Sequence, residues 1–239
     1  MFNHEIVSVM LQKFYSTLKS LEEFGVNGDF YDDVSSLDKF FSEFRSITFV
    51  LQKHLKTEEN KKIYNELCNS LLKTDNLKWF VDIRNEVVHE TPFQLKKELS
   101  LDIYLPGGET LKIKDDRLVV DVSASFFDAL EYIKEFFIEE LGLIEVFFSC
   151  KITFYENDKV VDIYPKIISG ILQMRKFVST FMEKIDCDCP MCVALKEKVE
   201  KLLEKVQMKE ISFTNDYSFS NELQSGANAE LFLPNNSSE

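Results

Sequence analysis

Arg84, Asn85 and His89 lie close together in the segment from Trp79 to His89, and between them they hold what phosphodiester chemistry needs. A guanidinium grips a phosphate through two parallel hydrogen bonds. An imidazole titrates near neutrality and can move a proton between two oxygens. An uncharged amide can hold either phosphate or imidazole without locking the histidine's charge. At about 100° per residue on a helix, Phe80, Ile83 and Val87 form one apolar stripe that must face a core. Leu77, Val81 and Val88 form a second stripe with Arg84 on its edge, and Lys78, Asp82, Asn85 and His89 make a polar row beside it. A guanidinium in that position must be paired or must face a wet cleft, because an unpaired buried charge is too costly. The plainer alternative is an ion pair of Arg84 with Glu43 or Glu86, with His89 closing the helix end against its dipole.

Cys187, Cys189 and Cys192 form a second cluster, in the run Cys187-Asp188-Cys189-Pro190-Met191-Cys192. Three thiolates this close offer part of a tetrahedral zinc site, with a fourth ligand to come from Cys68, Cys150, a carboxylate or a second chain. Such a zinc ion would be structural. Free thiols at a turn between helices, with Cys192 at a helix start, are the alternative, and a disulfide or redox role is a third.

The elements that must position these groups follow from periodicity. Apolar residues at Ile6, Val9, Met10, Phe14, Leu18 and Leu21 predict a helix over 3–23 ending near Gly25. Ser35 with Asp38 reads as a capping box opening a helix that runs to about Leu55. Thr57, with Glu58 and Glu59 behind it, starts a third helix, and Asp75 starts a fourth ending at His89 before Pro92. Beyond Pro92 the pattern alternates, which predicts strands at 99–105, 110–113 and 118–122 around the turn Pro106-Gly107-Gly108. Ser125 with Asp128 opens a helix to Leu141. A second hairpin is expected from 146–155 and 159–164, then helices from Pro165 to about Ile185 and from Val193 to Gln207. The expected fold class is mainly α, an α+β arrangement, with a helical bundle over 1–92, a β insertion over 93–122, C-terminal helices with a second hairpin and the cysteine loop over 123–209, and a flexible acidic tail over 210–239.

Composition narrows the function class. The 239 residues carry a net charge of −13 and only 7 Gly and 5 Pro, so a globular chain is expected, and one that does not coat nucleic acid by bulk charge. A local basic stretch survives: residues 45–97 hold ten Lys or Arg against seven acids. No apolar run is long enough to span a bilayer and no signal region opens the sequence, so a cytoplasmic protein with no membrane partner is expected. Five cysteines, three of them crowded together, agree with reduced thiols rather than a secreted disulfide framework.

The run Trp79-Phe80-Val81-Asp82-Ile83-Arg84-Asn85-Glu86-Val87-Val88-His89 resembles the R-x4–6-H motif of the HEPN family, in which a polar residue often follows the arginine. The resemblance covers roughly residues 1–140 in architecture and residues 79–89 in specific motif. It implies a HEPN-like helical bundle in which the β segments are insertions. Many members are metal-independent endoribonucleases acting as homodimers, with two motifs meeting across a cleft, and some serve in toxin, stress or antiviral defence. Carried over, Arg84, His89 and Asn85 would be catalytic and Lys78 and Arg45 would contact the RNA substrate. No cofactor would be required for 2′-hydroxyl attack leaving a 2′,3′-cyclic phosphate. Other members are non-catalytic modules that bind a protein or nucleotide partner, the second reading here. Some antitoxin-controlled members carry a tyrosine two places after the histidine; Thr91 stands there, so control through that tyrosine is not implied.

Overall fold

The computed structural model describes residues 2–25, 30–104, 108–115, 135, 139, 145–156, 161–212 and 214–220. The expected strand at 118–122 lies outside them, as does the helix expected over 125–141 apart from positions 135 and 139. The described chain is mainly helical with a small antiparallel sheet. Helix α1 spans Phe2–Glu23, α2 Phe30–Phe44, α3 Ser46–His54, α4 Glu58–Leu67 and α5 Asp75–His89, with a π-helical turn, Cys68–Leu72, between α4 and α5. Strands β1 (Leu95–Tyr104), β2 (Thr110–Asp115) and β3 (Glu145–Glu156) precede α6 (Ile163–Lys184) and α7 (Pro190–Ser212), and β4 (Thr214–Ser220) closes the described order.

Local chemistry sets several boundaries. The Thr57 hydroxyl accepts the Asn60 amide at 3.1 Å, and the Thr74 hydroxyl accepts the Leu77 amide at 3.3 Å. Each satisfies one of the donors a helix start leaves free. One expected helix is two: the helix is interrupted at Arg45, so α2 and α3 replace a single helix to Leu55. Ser35 lies inside α2 and starts nothing, and Asp38 instead accepts the Phe93 amide at 2.7 Å, tying α2 to the chain entering the sheet.

The sheet order is β2-β1-β3-β4, antiparallel throughout. Along β1 the residues Leu95, Lys97, Leu101 and Ile103 are buried, the period of two that one covered face demands. Leu95, Leu101 and Ile103 join Phe148, Ile152 and Phe154 in the same apolar cluster as the bundle. The β segments therefore share the helical core. Lys97 and Asp33 of α2 form an ion pair with side chains only 2% and 1% exposed. Among the described residues the second hairpin is reduced to one antiparallel bridge, Tyr155 to Asp162, because β3 pairs with β1 and β4 and the following helix already begins at Ile163. The acidic tail is also corrected over part of its length, since α7 runs to Ser212 and 214–220 pair with β3.

Helices α1 and α7 run side by side in the same direction. At one end the Lys209 ammonium donates to the carbonyls of Leu21, Glu22 and Phe24, the acceptors α1 leaves open at its C-terminus. At the other end His4 meets Cys189 and Cys192. Among the described residues no helix is long and apolar enough to cross a membrane.

Candidate functional site

Helix α5 is held by its apolar stripe: Phe80 and Ile83 are buried, and Phe80 rests against Phe40, Phe41 and Phe44 of α2 with ring centroids 5.9, 5.6 and 4.4 Å away. Trp79 is buried too, its indole donating to Glu156 at 2.8 Å with the Lys166 ammonium 3.9 Å from its ring. The expected second stripe is divided. Leu77 is buried in the chain's own core, Val81 is half-buried, and only Val88 is largely exposed, at 43%.

A cleft lies where Arg84 of α5 comes beside the junction of α2 and α3. Ser42 from the last turn of α2, Arg45, and Ser46 and Phe49 from α3 line a space of about 250 Å³ with Arg84 of α5. Among the described residues, no carboxylate lines it. Arg84 is half-buried, and its Nη1 donates to Asn85 Oδ1 at 3.2 Å. It forms no ion pair among the described residues, and Glu43 is engaged by the Ser16 hydroxyl at 2.7 Å. Arg45 is exposed, with its backbone carbonyl taking the Phe49 amide and the Thr48 hydroxyl, each at 3.2 Å. Phe49 is 50% exposed, and the Lys53 ammonium lies 4.2 Å from its ring centroid. Two guanidiniums and two hydroxyls in one polar cleft are suited to an anion, and an exposed ring at its edge is suited to a flat base. A second, apolar cleft of about 160 Å³ lies behind, between Phe44, Leu72, Phe80 and Met174, and shares Arg45 with the first.

The other expected residues lie apart. Asn85, Lys78 and His89 are exposed and none lines the cleft. His89 closes α5 about 7.5 Å along and about 140° around the axis from Arg84. Asn85 orients the guanidinium in place of the imidazole. Ser42, Ser46 and Phe49 share with Arg45 the i, i+3, i+4, i+7 spacing of one helix face, so periodicity could have found them.

The cysteine loop has a partner that was also missed. His4 Nδ1 lies 3.0 Å from Cys189 Sγ and 3.2 Å from Cys192 Sγ, and the three ligand atoms all fall within 4.8 Å of one another, a cluster able to hold a metal ion. Cys192 is fully buried, and burial, followed by the hydrogen bonds its own thiol donates to the Cys187 and Cys189 sulfurs, pushes it up to about 12. The amides of Cys192 and Met191 at the start of α7 pull Cys189 below the ordinary thiol range. Cys68 is elsewhere, beside Tyr64, with burial raising its thiol. In comparisons with protein-family models, curated proteins and solved structures, no match to the chain was found.

Proposed function

We propose that this chain is an RNA-cleaving HEPN-type protein that works without a catalytic metal. What carries the reading is the pairing of Arg45 and Arg84 across a cleft that no carboxylate lines among the described residues, with Phe49 exposed at its edge. A phosphate of single-stranded RNA binds between the two guanidiniums, and a neighbouring base stacks on Phe49. The 2′-hydroxyl oxygen attacks phosphorus as the 5′-oxygen leaves. His89 takes the hydroxyl proton and a protonated His89 supplies one to the leaving oxygen, giving a 2′,3′-cyclic phosphate and a free 5′-hydroxyl. Arg84 stabilises the charge that builds on the phosphate. Because the nucleophile belongs to the substrate, no metal-bound water is needed.

His89 lies outside the cleft of its own chain, so the cycle requires a homodimer in which His89 of a second copy reaches the Arg84 cleft. By the resemblance, the setting is toxin, stress or antiviral defence in the cytoplasm, with a regulatory protein as restraint. Incubating the purified protein with RNA in magnesium-free buffer, beside His89→Ala, tests it. Cyclic-phosphate ends from the wild type alone are expected, and wild-type cleavage that requires Mg²⁺ sinks the chemistry. A second reading, a non-catalytic module that binds RNA or a nucleotide, is favoured by that same distance of His89 from the cleft. It predicts binding that depends on Arg84 with no cleavage.

A further inference from the structure

We infer that His4, Cys187, Cys189 and Cys192 form one tetrahedral zinc site that pins the start of α1 to the turn between α6 and α7. His4 is the ligand the sequence withheld. Its Nδ1 lies 3.0 and 3.2 Å from the sulfurs of Cys189 and Cys192, the three ligand atoms fall within 4.8 Å of one another, and Cys187, two residues before Cys189, is the next thiol along the chain. Around zinc, ligand atoms at about 2.0–2.3 Å from the ion stand roughly 3.5–3.8 Å apart. His4 needs to stand only about half an ångström farther from the two sulfurs to accept the ion, and Cys187 turns in to complete the set. Four protein ligands leave no open position, so the ion is structural.

The backbone around the cluster is arranged for this. Helix α6 ends with the Asp186 amide donating to the Glu183 carbonyl and the Cys187 amide to the Met182 carbonyl. Asp186 carries φ of 52°, a left-handed position that glycine usually takes at a helix end. That sharp stop turns Cys187 back toward α7. The Cys189 carbonyl accepts the Val193 amide at 3.0 Å, with Pro190 in the first helical position, so the amides of Met191 and Cys192 point at the Cys189 sulfur. Hydrogen bonds of this kind stabilise a metal-bound thiolate. The site sits opposite the Lys209 clamp, so α1 and α7 are fastened at both ends. On binding, the thiols lose their protons to solvent and the sulfurs bond to zinc, with no change of oxidation state.

Metal analysis of the full-length protein, purified reduced and without chelator, should return about one zinc per chain. Replacement by Co²⁺ should give the visible bands of tetrahedral cobalt with thiolate ligands. His4→Ala should weaken the metal by more than the roughly 10-fold that losing a supporting partner costs, and Cys68→Ser should leave it unchanged. Should Cys192→Ser fail to fold, titrating wild-type thiols with an organomercurial while following zinc release supplies the same count of ligands. A folded, reduced wild type that binds neither zinc nor cobalt overturns the inference. So does a disulfide within the loop, seen as a two-hydrogen mass deficit, or His4→Ala with wild-type affinity. These readouts do not involve RNA, so they stand or fall apart from the proposed cleavage.

Discussion

The Phe80 ring occupies the space that a side chain at Gly170 would need, so α5 and α6 touch through an aromatic edge laid on a bare helix backbone. Phe80 cannot retreat, because Phe40, Phe41, Phe44 and Trp79 surround it. Gly170→Ala should gain about 1 kcal/mol of helix propensity and lose about 1–3 kcal/mol to overpacking. Net destabilisation is expected, with α5 and the Arg84 cleft displaced; a melting temperature at or above wild type would show that the contact is looser than described.

Lys97 and Asp33 make a second such constraint, holding the sheet to the bundle. Asp33 also accepts the Gly25 amide at 2.9 Å, yet burial pushes its carboxyl above the ordinary range against the pull of Lys97. Lys97→Met leaves a buried carboxylate unpaired and should cost about 3–5 kcal/mol near neutral pH. A carboxyl raised by folding favours the native state below its unfolded value and loses that contribution as pH rises through its native value. The deficit of Lys97→Met should therefore shrink toward acid. Urea midpoints of wild type and variant across pH check this, and a deficit that grows toward acid contradicts it.

Some of this architecture is written in short-range signals. Thr57 and Thr74 cap their helices because a hydroxyl beside its own helix start needs no distant partner. The stripe of Phe80 and Ile83 was legible for the same reason, and Thr110 to Ile113 read as strand by alternation. What failed depended on distance. The Ser35 and Asp38 pair looks like a cap, but Asp38 is claimed by Phe93, across the fold. The run 214–220 reads as polar tail, yet the edge of β3 gives its backbone a partner that no local pattern announces. The cleft at Arg45 needs α5 to bring Arg84 beside α2 and α3, and His4 lies 185 residues before Cys189. Spacing rules built on neighbours could not join them.

The edge of the cleft should separate binding from chemistry. Phe49→Ala should weaken single-stranded RNA by about 1–3 kcal/mol without altering its salt dependence, since stacking involves no counterion. Arg45→Ala should weaken it as well and lower the slope of log affinity against log salt by about 0.7, the share of one phosphate contact. Fluorescence anisotropy over a salt series reads both. Equal slopes in all three proteins would place the phosphate elsewhere.

Oligomeric state carries the composite site. With Leu77 buried at home, the apolar surface left on α5 is small, centred on Val88, so a dimer across it should be modest in affinity and reversible on dilution. Light scattering across a concentration series should follow the mass from dimer to monomer, and specific cleavage activity should fall with it. A strict monomer that cleaves at constant specific activity would remove the need for a second copy.

The sharpest demand falls on Arg84 and His89. Arg84→Ala should lower the rate of cleavage by about 10²–10³-fold and also weaken binding, because the guanidinium holds the phosphate before and during the reaction. Arg84→Lys should recover affinity better than rate, since a point charge attracts phosphate but lacks the planar fork. His89→Ala should lower the rate by about 10²–10⁴-fold while leaving RNA affinity near wild type, as an exposed proton carrier contributes little to ground-state binding. Asn85→Ala should resemble a mild Arg84 variant, because its carbonyl orients the guanidinium at 3.2 Å. Single-turnover rates with affinities measured in parallel distinguish these patterns. His89→Ala with undiminished cleavage would remove the histidine from the reaction, and loss of the fold in Arg84→Ala would make the arginine a structural residue after all.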